Sequence, residues 1–143
     1  MQYDNFSKNV NKVLELSEQL AKRYNCHYIG SEHILFGLLN ANDGRASTIL
    51  KEAGVDNDRF LFLFQKTVDP HVRISGNMFT PRTKHLLDKS VEISLKARRG
   101  YVGTEHLLLA LLLENDSLAA SMLIKMRVDI DAMAEDIAES ILA

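Results

Sequence analysis

The sequence predicts an all-α fold of two tandem four-helix repeats, eight helices in total, related by pseudo-twofold symmetry. The first observation behind this prediction is a doubled motif, because YIGSEHILFGLLNAND begins at Tyr28 and YVGTEHLLLALLLEND begins at Tyr101. The offset is 73 residues, the distance along the chain from Gly30 to Gly103. The second observation is that apolar residues ahead of each motif recur at spacings of three and four, which is typical of amphipathic helices.

A long amphipathic helix is predicted to open each repeat. The small and apolar residues that share one helical face are Val10, Val13, Leu14, Ser17, Leu20 and Ala21 in the first copy and Leu86, Leu87, Ser90, Ile93, Ser94 and Ala97 in the second. Ser7 and Thr80 stand where N-cap residues are expected, and Pro81 suits the first helical turn. Each of these helices is therefore predicted to start directly after its hydroxyl residue.

The motif itself predicts the second helix of each repeat. Ser31 and Thr104 are expected to be its N-caps, and the glycine ahead of each allows a sharp entry into the helix. Glu32 and Glu105 then lie in the first turn, where a carboxylate complements the positive end of the helix dipole. We expect both carboxylates to be open to solvent.

Two shorter helices complete each repeat. The third is predicted at about 45–53 and 118–126, and Asp56 and Asp129 are predicted to cap the fourth. The run FLFLF, Phe60–Phe64, has the composition of a buried strand, but its partner in the second copy is MAEDI, which predicts a helix. We therefore expect a helix here, part of which covers apolar neighbours or forms a contact patch.

The predicted organisation is a single domain in which the two repeats share a core. Repeat 1 spans about 4–67, repeat 2 spans about 79–142, and the connector 68–78 is predicted to be a loop because it contains Pro70 and Gly76. A chain of 143 residues with 46% hydrophobic and 25% charged residues is ordinary for one globular domain.

Charge and composition exclude several classes of partner. The net charge of −2 and the pI near 6.2 provide no basic field, so neither nucleic acid nor a membrane is predicted as a partner. The longest apolar run, Leu107–Leu113, is far shorter than the roughly 20 residues that a membrane span needs. A single cysteine, Cys26, excludes an internal disulfide and predicts a cytoplasmic location.

The Glu-His pairs of the motif are candidates for catalysis or metal binding, and both interpretations are weak. Side chains of adjacent helical residues point about 100° apart, so Glu32 and His33 do not chelate one ion as an i, i+4 pair does. The sequence also has no phosphate-binding G-x-x-x-x-G-K-[ST] loop and no G-x-S-x-G. We therefore predict no metal site, no catalytic residues, and hydrogen-bonded packing roles for His33 and His106.

The doubled [IV]G[ST]EH[IL]L motif, with a helix that opens F[ST] ahead of each copy, resembles the Clp N-terminal repeat domain. Within that family it is most similar to the version on ClpC-type AAA+ unfoldases, and the similarity covers Phe6 to Leu142. The resemblance implies a non-catalytic domain that captures adaptor proteins and protein substrates for the Clp peptidase. It also implies that ATP and Mg²⁺ bind only in ATPase modules outside this domain, and that the isolated domain is a monomer.

The resemblance further implies a ligand, because ClpC-like domains bind phosphoarginine, a mark for degradation. A carboxylate can hold a guanidinium through charge-assisted hydrogen bonds, and helix N-terminal amides can hold a phosphate. The predicted ligand-binding residues are Glu32, Glu105, Ser7, Thr80, Arg82 and Lys84. Repeat symmetry predicts two such sites, with Arg82 and Lys84 near the second. Phe6 and Phe79 are predicted to offer an apolar contact to partners.

The first helix departs from the family pattern, in which basic residues flank the Phe-Thr pair. Here Asp4 and Asn9 stand near Phe6 and Ser7 and leave Lys8 as the basic residue, so the resemblance favours the second site. Three alternatives remain open. The chain is a free-standing Clp-repeat adaptor or regulator, it is a paralogue that binds adaptors and not phosphoarginine, or it is a small hydrolase or transferase that uses Glu and His.

Overall fold

The computed structural model describes residues 5–68 and 79–142, and in this part of the chain the structure consists of eight α-helices. They are α1 Lys8–Arg23, α2 Ser31–Asn40, α3 Arg45–Glu52, α4 Asn57–Gln65, α5 Pro81–Lys96, α6 Thr104–Leu113, α7 Leu118–Lys125 and α8 Ile130–Leu142. The predicted fold class is confirmed. The predicted connecting loop falls, apart from Val68, on residues outside the described ranges.

The first helix of each repeat begins where the sequence predicts. The Ser7 hydroxyl accepts a hydrogen bond from the Val10 amide at 3.2 Å, and the Thr80 hydroxyl accepts one from the Thr83 amide at 3.1 Å. These bonds satisfy amides that have no partner within the helix, which fixes both helix starts. Pro81 occupies the first helical position of α5, as predicted.

The motif helices α2 and α6 form the centre of the core. Residues 31–39 of α2 and 104–112 of α6 are all buried, which is the behaviour of a helix that is apolar on every side. Each motif helix packs against helices of both repeats: α2 contacts α1, α3, α5 and α7, and α6 contacts α1, α3, α5 and α8. The two repeats therefore share one core.

The crossing of α1 over α2 is unusually close. Gly37 faces α1 with its backbone, and a Cβ added there would collide with the carbonyl oxygen of Val13. Ser17 adds a polar link, because its hydroxyl lies 2.7 Å from the Val13 carbonyl oxygen and 2.9 Å from that of His33. The first turns of α2 are therefore held firmly against α1.

The FLFLF segment is helical, as predicted, and its aromatic rings divide between core and surface. Phe60 and Phe64 are fully buried, stack on each other at 5.7 Å, and Phe60 also meets the Phe36 ring at 5.7 Å. Phe62 points outward and is 61% exposed, with the Lys66 ammonium 4.1 Å from its ring centroid. One helix thus supplies both core rings and an exposed apolar side chain.

None of the helices in the described residues is by itself long and apolar enough to cross a membrane. The consecutive helices α6 and α7 reach that length and composition only when taken together, and they are bent by 91° relative to each other.

Candidate functional site

The predicted ligand-binding residues fall at two corners of the molecule, and each corner is formed by both repeats. The Glu105 corner consists of the starts of α1, α3 and α6. In it the Ser7 amide donates to the Val102 carbonyl at 3.0 Å, and the Ala46 amide donates to the Thr104 hydroxyl at 3.1 Å. These bonds bring three helix N-termini together beside Glu105.

The Glu32 corner repeats this arrangement with the starts of α2, α5 and α7. The Thr80 amide donates to the Ile29 carbonyl at 3.1 Å, and the Ala119 amide donates to the Ser31 hydroxyl at 3.2 Å. Three helix N-termini therefore meet beside Glu32 as well. Because the N-terminal end of each helix carries partial positive charge and free amides, both corners favour an anion.

The pairing of residues across the repeats corrects the sequence prediction. The sequence assigns the start of α5, with Thr80, Arg82 and Lys84, to the second site, yet the structure places Thr80 against the segment that carries Glu32. Ser7, in turn, lies against the segment that carries Glu105. The start of α5 therefore belongs to the Glu32 corner.

The N-caps of the motif helices are also different from those predicted. Gly30 and Gly103 are the N-caps, one residue ahead of Ser31 and Thr104. The two hydroxyls do not cap their own helices, because each accepts the hydrogen bond from a helix of the other repeat.

Histidine takes the capping role within each motif helix. The Gly30 amide donates to Nδ1 of His33 at 2.9 Å, and the Gly103 amide donates to Nδ1 of His106 at 2.8 Å. Both rings are fully buried. The predicted role as hydrogen-bonded packing residues is confirmed, and it explains why an imidazole follows the glutamate in each copy.

The two motif glutamates are not open to solvent, which contradicts the prediction. Their side chains are 5% exposed at Glu32 and 10% exposed at Glu105. Each carboxylate turns back over the start of its own helix, so a Cβ added at Gly30 or Gly103 would collide with it. Burial raises the pKa of Glu32, while hydrogen bonds from its own backbone amide and the Tyr28 hydroxyl act in the opposite direction.

The charged partners of the two carboxylates differ. Nη1 of Arg45 lies 3.5 Å from Oε2 of Glu105, and Nη2 of Arg45 donates to the Ser140 hydroxyl at 2.8 Å. At Glu32 the ionisable neighbour is His33, whose Nδ1 is 3.9 Å away. Burial lowers the pKa of His33 to about 4, so this histidine is neutral at pH 7.

Arg45 is the site residue that sequence reasoning missed. The offset of 73 aligns Arg45 with Leu118, which signals a difference between the repeats. That alignment does not reveal that Arg45 reaches the carboxylate of the other repeat.

The positive charge expected from Arg82 is offset by acidic neighbours. Nη1 of Arg82 lies 3.1 Å from Glu114 and 2.9 Å from Asp116, and Nε2 of His85 lies 2.9 Å from Glu114. The Arg82 hydrogen bond lowers the pKa of Asp116, which is the behaviour of a formed ion pair. Lys84 is partly exposed, and its role in ligand binding stays a prediction.

The two phenylalanines that precede the first helices differ in exposure. Phe6 is only 7% exposed and pairs with Val102 through a parallel backbone bridge, so it offers almost no surface to a partner. The predicted apolar contact has no geometric basis at Phe6. Phe79, which bridges to Ile29, is half-buried, and its contact role stays a prediction.

In residues 5–68 and 79–142, no group of three or more His, Cys, Asp or Glu side chains is arranged to hold a metal ion. The single cysteine, Cys26, is buried, and burial raises the pKa of its thiol.

Comparison with known sequences identifies relatives across the whole chain. The family model of the Clp repeat (R) N-terminal domain matches residues 5–77 and again 78–143. A probable ATP-dependent Clp protease ATP-binding subunit of Chlamydia pneumoniae is 32% identical over 89% of this chain. The negative regulator of genetic competence ClpC/MecB of Bacillus subtilis is 31% identical over 96% of it. The chain spans only 15% and 17% of the length of these two relatives.

Solved structures share the fold. The N-terminal domain of the chaperone ClpD from Arabidopsis thaliana has a TM-score of 0.80 at 19% identity, covering 98% of this chain and 96% of that one. A ClpV N-domain in complex with a VipB peptide has a TM-score of 0.74 at 18% identity, covering 96% of this chain and 88% of that one.

Proposed function

We propose that this chain, which belongs to the Clp repeat N-terminal domain family, is the protein-recognition domain of a ClpC-type AAA+ unfoldase. In this role it captures adaptor proteins and substrates, and ATP and Mg²⁺ bind in modules beyond the domain. The relatives named as ATP-binding subunits of Clp protease support the parent ATPase and the Clp peptidase partner. The peptide complex of the ClpV N-domain supports peptide recognition by this fold.

We further propose that the two corners bind phosphoarginine on marked proteins. The observation that carries this proposal is the contact between Arg45 and Glu105, in which a guanidinium that is 54% exposed reaches a carboxylate that is 10% exposed. A guanidinium can therefore approach this carboxylate from the surface. The three helix starts at each corner then supply amides for the phosphate group.

Because the carboxylates are buried, the proposed binding mechanism requires a side-chain movement. Because Glu32 lies folded over its own helix start, it has to turn outward to meet a ligand guanidinium with both oxygens. The raised pKa of Glu32 shows that burial disfavours its charged form, and a cationic ligand group would restore a charge partner. Ligand binding is thus expected to favour the ionised carboxylate.

Isothermal titration calorimetry with free phosphoarginine tests the ligand. We expect saturable heat with the wild type and a loss of affinity of roughly tenfold or more in Glu32→Gln, because charge-assisted hydrogen bonds are lost. Glu139→Gln, on the exposed part of α8, is the matched control and is expected to bind as the wild type does. No heat from the wild type would eliminate phosphoarginine and leave adaptor binding as the function.

Two of the rival functions have direct tests. A reading frame that stops without Walker A and B motifs would favour a free-standing adaptor or regulator. Replacement of His33 and His106 by glutamine, with binding retained, would remove a hydrolase or transferase that depends on them. The non-catalytic role and the cytoplasmic location stay predictions.

A further inference from the structure

The two corners have the same backbone frame, but only the Glu105 corner has a cationic side chain at the first position of its short helix, α3. Arg45 is the first residue of α3 at the Glu105 corner, and Leu118 is the first residue of α7 at the Glu32 corner. The next residue in each helix, Ala46 or Ala119, donates its amide to the hydroxyl at the start of the motif helix. The frames therefore correspond, and the side chain at the first position of α3 or α7 differs between them.

Arg45 is held in the Glu105 corner by two groups of the other repeat. Its guanidinium pairs with Oε2 of Glu105 at 3.5 Å and donates to the Ser140 hydroxyl at 2.8 Å. The equivalent of Ser140 in repeat 1 is Thr67, whose hydroxyl instead donates to the Phe64 carbonyl of its own helix. Both the arginine and its second anchor thus belong to the Glu105 corner alone.

Glu32 has no such intramolecular cation among the described residues. Its ionisable neighbour is His33, which is neutral at pH 7, and Leu118 stands where Arg45 stands in the other corner. In the part of the chain that the structure describes, the Glu32 carboxylate therefore has no permanent positive partner. A ligand guanidinium at Glu32 displaces none of these described cations, whereas one at Glu105 has to displace Arg45.

We propose that Arg45 is a tethered ligand of the Glu105 corner, so that the two corners bind arginine-type ligands unequally and the Glu32 corner is the principal site. This inference rests on the proposed function, because it assumes that the corners receive a guanidinium. Arg45 then sets specificity by competition: its high local concentration opposes an incoming arginine side chain at one corner only.

Phosphoarginine titrations of reciprocal variants test the inference. In the wild type we expect one principal site that Glu32→Gln removes. Arg45→Leu, which copies the residue of the other corner, is expected to tighten the Glu105-dependent site roughly five- to tenfold, because a partly buried ion pair no longer competes. Leu118→Arg is the matched variant and is expected to weaken the Glu32-dependent site. Two equal sites in the wild type, or no change in Arg45→Leu, would overturn the inference.

A second probe separates this inference from the phosphoarginine proposal. Ethylguanidinium carries the cation without the phosphate, and its binding can be followed through the amide NMR signals of Glu32 and Glu105. We expect Glu32 to respond at lower concentration in the wild type and the two residues to respond alike in Arg45→Leu. Equal responses in the wild type, or no response of Glu105 in Arg45→Leu, would contradict the role of Arg45 whatever phosphoarginine does.

Discussion

Repeat 1 and repeat 2 share a motif, but their fourth helices, α4 and α8, contribute different side chains to the core. In repeat 1 the fourth helix contributes the aromatic rings of Phe60 and Phe64, and the aligned positions of repeat 2 hold Met133 and Ile137. All four are buried. On another face of α8, lined by other residues, an apolar groove of about 490 Å³ lies between α5, α6 and α8. The capping bonds are thus common to both repeats, while the core residues of the fourth helices differ.

Truncation of core side chains in the two fourth helices is expected to have the largest effect on the free energy of unfolding. Phe60→Ala removes a fully buried ring that meets Phe36 and Phe64, and we expect a loss of about 3–5 kcal/mol in the free energy of unfolding. Met133→Ala, at the aligned position, removes a buried side chain without a ring and is expected to cost about 2–3 kcal/mol. Urea unfolding followed by circular dichroism measures both. Equal losses would mean that the aromatic cluster adds nothing to repeat 1.

A pH-dependent effect is expected next, at the capping histidines. Burial lowers the folded-state pKa of His33 to about 4, below its ordinary value of 6.5. Between these two pH values His33 is protonated in the unfolded chain and neutral in the folded chain. This stabilising contribution is present above pH 6.5 and is lost as the pH falls toward 4. His33→Gln keeps a capping acceptor and does not titrate. The advantage of the wild type over this variant at pH 7 should shrink by about 2 kcal/mol at pH 5.

His106→Gln provides the matched comparison in repeat 2. Burial lowers the pKa of His106 too, but the charge of Glu105 acts against that shift. We therefore expect a change in the same direction that is smaller than the change at His33. Urea unfolding of the wild type and both variants at pH 7 and pH 5 measures the difference in free energy of unfolding for each variant at each pH. A pH-independent difference at His33 would show that this histidine is not neutral and buried in solution.

Much of the fold follows from the sequence, and most of the site does not. The helical spacing of apolar residues predicts the helices, and cap residues such as Ser7 and Thr80 predict where they start, because a cap acts within one helical turn. The contacts of Ser31 and Thr104 are made with the other repeat, far away along the chain. Aligning the two repeats identifies equivalent residues, but it does not show which residues are in contact. The cross-repeat pairing of the corners was therefore beyond sequence reasoning.

The cross-repeat hydrogen bonds predict a smaller, unequal effect. Thr104→Val removes the acceptor for the Ala46 amide at the start of α3, whose N-cap is Gly44 and has no side chain to replace it. We expect a cost of about 1–2 kcal/mol. Ser31→Ala should cost about 0.5–1 kcal/mol, because α7 keeps a cap from Ser117. Thermal unfolding compares the pair, and the reverse order would contradict the assignment of these caps.

The smallest effect is expected on the exposed side of α4. Phe62→Glu copies the aligned residue Glu135 and removes a side chain that is 61% exposed, so the free energy of unfolding should stay within about 0.5 kcal/mol of the wild type. Chemical denaturation measures this. A larger loss would mean that Phe62 packs more closely in solution and that the two fourth helices differ less than their exposure indicates.

The cross-repeat corners are tested most directly by an amide NMR titration of the wild type with phosphoarginine. We expect Thr80 and Glu32 to follow one binding curve, and Ser7 and Glu105 to follow a second, weaker curve. Joint titration of Ser7 with Glu32, or unchanged signals at all four residues, would contradict this expectation.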